Sequence, residues 1–90
     1  MVYCVTFSSS PPRLFAEFST QEKDQTLKKL YEIATSEFRT PYDFDLKQLR
    51  STDPRWRLRV GNGIRVILTV DERAEALCIE EIGRRENLYQ

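Results

Sequence analysis

Apolar side chains recur at every second position in some stretches of this sequence and near every 3.6 residues in another, and the two periods outline its elements. Tyr3, Val5 and Phe7 alternate with Val2, Cys4 and Thr6, which predicts a first strand ending at the serine run Ser8-Ser9-Ser10. Pro11 and Pro12 suit the first turn of a short helix capped by Ser10, with Leu14, Phe15 and Phe18 as its apolar face. Ser19-x-x-Glu22 has the form of a capping box and opens a second helix. On that helix Leu27, Leu30, Tyr31, Ala34 and Phe38 recur at helical spacing, and most of its charges fall on the other side.

From Arg39 to Arg55 no period survives, and Pro41, Asp43, Asp45 and Ser51-Thr52-Asp53-Pro54 predict a connecting loop with a turn of helix near Leu46. The clearest signal follows. In Trp56-Arg57-Leu58-Arg59-Val60 apolar and cationic residues alternate strictly, so Trp56, Leu58 and Val60 face a core and both arginines face away from it. After Gly61-Asn62-Gly63, residues Ile64 to Val70 continue as a second strand of a hairpin, with Ile64, Val66, Leu68 and Val70 on one face. A two-residue turn would set Val60 against Arg65 and mix the faces. A three-residue turn with Gly63 at the bulge keeps them apart, and it sets Arg59 directly opposite Arg65 and Arg57 opposite Ile67. Asp71 to Ala74 reads as another turn, and Glu75 to Ile82 as a last strand with Leu77 and Ile79 on one face, ended by Gly83.

Strand, helix, helix and three turn-linked strands give an α+β fold of β-α-α-β-β-β order: a small antiparallel sheet with both helices packed on one face, one domain over residues 1–90. The longest apolar runs are far below the ~18 residues of a membrane span, and Met1-Val2-Tyr3-Cys4 lacks the marks of a signal peptide. Cys4 and Cys78 lie in strand-like runs and read as reduced thiols of a cytoplasmic protein. With no histidine and no paired cysteine motif, no metal and no other cofactor is indicated.

Fourteen basic and fourteen acidic residues cancel in sum but not along the chain. Residues 47–65 carry six basic groups, Lys47, Arg50, Arg55, Arg57, Arg59 and Arg65, against Asp53 alone. A cationic block in a balanced domain fits a phosphate-binding site, and on charge alone it fits a solvated hairpin equally well. The cross-strand pair Arg59 and Arg65 favours the first, because like charges face to face cost stability unless an anion relieves them. If the last strand lies beside the hairpin, the tail brings Arg84 or Arg85 and Tyr89 toward the same surface. Several guanidiniums and a phenol suit the stabilisation of a pentacoordinate phosphate during RNA cleavage, with the substrate's own 2′-hydroxyl as nucleophile. Tyr89 packed on the sheet as a core-closing ring fits the same pattern.

Trp56-Arg57-Leu58-Arg59-Val60-Gly61, then Ile64-Arg65-Val66-Ile67-Leu68, then Ile82-Gly83-Arg84-Arg85 with Tyr89 four residues on, together resemble the RelE/ParE superfamily of type II toxin-antitoxin toxins. The resemblance spans nearly the whole chain. It implies a RelE-like mRNA interferase, a cytoplasmic endoribonuclease that cleaves mRNA on the ribosome, inhibits translation, and is neutralised by a cognate antitoxin. By position it implies catalytic roles for Arg59, Arg65, Arg85 and Tyr89, and RNA or phosphate contacts for Lys47, Arg57 and Arg84. Arg84 stands where the family commonly has histidine, and Ile64 where it commonly has tyrosine. Two alternatives share the fold: a ParE-like inhibitor of DNA gyrase, and a catalytically weak antitoxin-binding module.

Overall fold

The computed structural model describes residues 3–35, 46–48, 54–61 and 63–88. Its elements in chain order are β1 (Cys4–Phe7), α1 (Pro11–Leu14), α2 (Thr20–Thr35), β2 (Leu46–Gln48), β3 (Trp56–Val60), β4 (Ile64–Asp71), β5 (Ala76–Arg84) and a closing turn of helix, α3 (Arg85–Leu88). The strands form one sheet in the order β1-β5-β4-β3-β2.

The α+β class holds, and the sheet departs from expectation in two respects. It is mixed, because β1 runs parallel to β5, with Val5 opposite Leu77 and Phe7 opposite Ile79. A period of two is the same in parallel and antiparallel strands, so the alternation could not carry this. Leu46 begins a short strand instead of a helical turn, with Leu46 buried opposite Leu58 and Lys47 opposite Arg57. Three residues are too few to show a period, and pairing with β3 decides their conformation.

The helices start as the sequence dictates. The Ser10 carbonyl accepts the Arg13 and Leu14 amides at 3.0 and 3.1 Å, while its side chain makes no capping bond. The Ser19 amide donates to Glu22 Oε1 at 3.0 Å and the Glu22 amide to Ser19 Oγ at 3.2 Å, the reciprocal capping box that satisfies two amides at the head of α2. The buried stripe of α2 is rotated from the expected one: Thr26, Leu30, Ile33 and Ala34 face the sheet, whereas Leu27 is 45% and Tyr31 68% exposed. Thr26 is tolerated in the core because its hydroxyl donates to the Glu22 carbonyl at 2.9 Å, one turn back, and so presents mainly its methyl to its neighbours. Phe38 lies outside the described residues.

The β3–β4 hairpin has the expected register, with Val60 opposite Ile64, Arg59 opposite Arg65 and Arg57 opposite Ile67. Among the described residues of the turn Gly61, at φ +60°, takes the left-handed conformation and Gly63 does not. Leu58, Val66, Leu68, Leu77 and Ile79 are fully shielded beneath α2 and form the centre of the core. At the next turn Asp71 Oδ1 accepts the Arg73 and Ala74 amides at 3.1 and 3.0 Å.

A β-bulge in β5 changes which face its later residues occupy. Leu68 pairs with Ile79 but Ile67 pairs with Glu81, so Glu80 is an extra residue in the ladder. Leu77 and Ile79 lie in the core, and beyond the bulge the core positions become Ile82, opposite Val66, and Arg84, opposite Ile64. Gly83 is thereby set opposite Arg65, on the other face.

Candidate functional site

The face of the sheet turned away from α2 is built from alternate residues of β3 and β4. With Leu58 and Val60 committed to the core, Arg57 and Arg59 stand on the opposite side, and the hairpin register brings Arg65 directly beside Arg59. On the far side of Arg65 the β5 partner is Gly83, which raises no side chain next to it. Arg65 itself is only 7% exposed, so the centre of this face is not the open arginine surface that alternation suggested. Its Nη1 donates to the Ile64 carbonyl at 2.9 Å, and its buried Nε makes no hydrogen bond.

Three guanidiniums act on that of Arg65. Burial first, and then the charges of Arg57, Arg59 and Arg85, hold the Arg65 guanidinium below its ordinary pKa. It stays protonated at neutral pH all the same, because arginine starts far above that range. The arrangement is therefore a buried cation on which three others, from β3 and α3, act electrostatically, and Arg59 and Arg85 are its exposed members. Such a cluster is held against its own repulsion and is suited to an anion whose charge offsets it. Lys47 is exposed on β2 opposite Arg57 and extends the cationic row to the sheet edge. Tyr89 lies outside the described residues.

Arg84 does not join this group. The bulge puts it on the helix-bearing face, where Nη1 donates to Glu22 Oε2 at 3.0 Å and Nη2 to Glu22 Oε1 and the Glu17 carbonyl, each at 3.4 Å. Its guanidinium carbon also lies 5.2 Å from the centre of the Phe18 ring. The expected phosphate contact of Arg84 is thus replaced by an ion pair with the head of α2.

No protein-family model matches the sequence, and no curated protein does. Solved structures do. A double mutant of E. coli toxin RelE in the free state superposes with a TM-score of 0.75 at 19% identity, over 98% of this chain and 88% of that one. RelE in the archaeal RelE-RelB complex of Pyrococcus horikoshii gives 0.74 at 21% identity, over 94% and 97%. YafQ of E. coli gives 0.66 at 14% identity, over 98% and 99%. This is the RelE fold.

Within that RelE fold the pair Glu22 and Arg84 is what sequence reasoning missed. Its signal was the spacing Ile79-Glu80-Glu81-Ile82, where two consecutive polar residues between apolar ones break the period of two and mark the bulge. The Ser19 amide first, and then Arg84, hold the Glu22 carboxyl below the usual carboxylate range. A carboxylate depressed on folding adds stability above its unfolded pKa and loses it as pH falls through the folded one. Thermal denaturation at neutral pH and at about pH 3 is therefore expected to show a smaller acid-induced drop for Glu22→Gln than for the parent chain. Equal drops would remove Glu22 from the acid response.

Proposed function

We propose that this protein is the toxin of a type II toxin-antitoxin system and acts as a ribosome-dependent mRNA endoribonuclease. The single observation that supports the reading is the gathering of Arg57, Arg59 and Arg85 around the buried Arg65, on the side of a RelE fold turned away from α2. In this reading the 2′-hydroxyl gives up its proton to solvent water as its oxygen attacks the adjacent phosphorus, the bond to the 5′-oxygen breaks as the new one forms, the departing 5′-oxygen takes a proton from water, and a 2′,3′-cyclic phosphate results. The arginines neutralise the charge that builds on the non-bridging oxygens. Arg65 is the fixed donor, while Arg59 and Arg85 close on the phosphate from solvent, with Arg57 and Lys47 aligning the strand. Guanidiniums do not accept the 2′-proton, so Tyr89 is assigned to orienting or activating that hydroxyl. A cognate antitoxin is the expected partner, in keeping with the RelE-RelB assembly of the P. horikoshii neighbour.

Induction of the chain without an antitoxin is expected to arrest growth and to leave mRNA 5′ ends in codon register within translated regions. Arrest without such ends, together with inhibited supercoiling by purified gyrase, would replace this reading with the ParE-like one.

A further inference from the structure

Arg84 and Arg85 are neighbours in sequence with opposite assignments, and the junction between them is held from both sides. On the helix side, Arg84 grips both carboxylate oxygens of Glu22, reaches the Glu17 carbonyl, and lies over Phe18, which itself meets Phe15 edge to face at 6.3 Å. Glu22 is already fixed by the capping box with Ser19, so Arg84 is anchored to the rigid head of a sixteen-residue helix and not to a wandering side chain. On the hairpin side, the Arg85 amide donates to the Gly63 carbonyl at 2.8 Å, tying the first residue of α3 to the β3–β4 turn. The Glu80 bulge sets the phase: were Glu80 paired in the ladder like any other residue, strict alternation would turn Arg84 toward the cationic face and Arg85 toward the helices.

We propose that Arg84 is a positioning residue that, by clamping the end of β5 to the head of α2, holds Arg85 in place beside Arg65. The catalytic part of this inference rests on the nuclease reading, whereas the clamp itself does not. An exposed salt bridge contributes little to stability as a rule. The value of this one lies in where it holds the chain, because an arginine that stabilises a transition state loses most of its effect when displaced by about 1 Å.

The test uses Arg84→Met, which keeps an apolar stem over Phe18, and Arg84→Lys, which keeps the charge without the two-pronged contact. Amide hydrogen exchange by NMR is expected to show the Arg85 amide losing at least about tenfold protection in Arg84→Met, with an intermediate loss in Arg84→Lys, while the amides of Leu68 and Leu77 are unchanged. Unchanged Arg85 protection, or an equal loss at Leu68 and Leu77, would overturn the proposal. In ribosome-dependent cleavage, Arg84→Met is expected to lower kcat about tenfold with KM little altered, and to cost nothing further in an Arg85→Ala background. Additive losses would overturn action through Arg85. If the parent chain cleaves no RNA, the nuclease reading fails by itself and the exchange result still decides the clamp.

Discussion

Replacing Arg65 with methionine is expected to give a more stable protein and, in the nuclease reading proposed above, one whose RNA cleavage is largely lost. Arg65 is buried, has three cations acting on its guanidinium, and among the described residues that guanidinium has one hydrogen bond, to a backbone carbonyl. Burying a charge on those terms opposes folding, and exchanging a buried ionic group for a hydrophobic one of similar length is commonly neutral or stabilising by about 1 to 4 kcal/mol. At the lower end of that range the melting temperature rises by roughly 4 to 8 °C for a domain of this size. Loss of a preorganised donor to the developing phosphate charge lowers kcat by about 10² to 10³. Arg85→Ala, at an exposed position, is expected to lower cleavage while moving stability by no more than about 0.5 kcal/mol. Arg65→Ala combined with Arg85→Ala is expected to relieve growth arrest on induction. Thermal denaturation alongside cleavage assays checks both halves. Full toxicity in the double variant would end the nuclease reading, and a marked loss of stability in Arg65→Met would show that the buried arginine supports the fold.

The largest loss of stability is expected from Leu77→Ala. Leu77 is fully buried in the second strand of the sheet, between Val5 of β1 and Val70 of β4, beneath α2. Truncation there removes the transfer energy of the lost methyl groups and leaves a cavity that neighbouring strands close poorly, at a cost of about 3 to 5 kcal/mol. A chain of 90 residues has a total stability of roughly 5 to 13 kcal/mol, so urea denaturation should show a large part of it gone. Leu27→Ala, on the outer margin of α2, is the comparison and should cost well under half as much.

How much of this was legible in the sequence depends on what each residue had to reveal. The capping box of Ser19 and Glu22, the Asp71 turn and the register of the β3–β4 hairpin are local, and their residue types carry them directly. The parallel pairing of β1 and the short β2 depend on partners distant in sequence. The rotated stripe of α2 was hidden because Thr26 hides its polarity in a bond to its own helix, while Leu27 and Tyr31 offered a stripe that the sheet does not use. At the site, alternation placed Arg57, Arg59 and Arg65 on one face and the tail supplied Arg85, but periodicity has no means of showing that Arg65 is buried. Arg84 was misplaced for one reason, the extra residue Glu80, which shifts every later side chain of β5 by one face.

The place of β5 in the sheet also governs when the molecule can act. It lies between β1 and β4, so β1 has no edge to dock against until β5 has been made. Long-range closure of this kind makes for slow folding. A nascent chain therefore displays β1 and the apolar underside of α2 well before Arg85 exists. The cationic cluster of Arg57, Arg59, Arg65 and Arg85 is completed only once β5 and the first residue of α3 have been synthesised and paired beside β4.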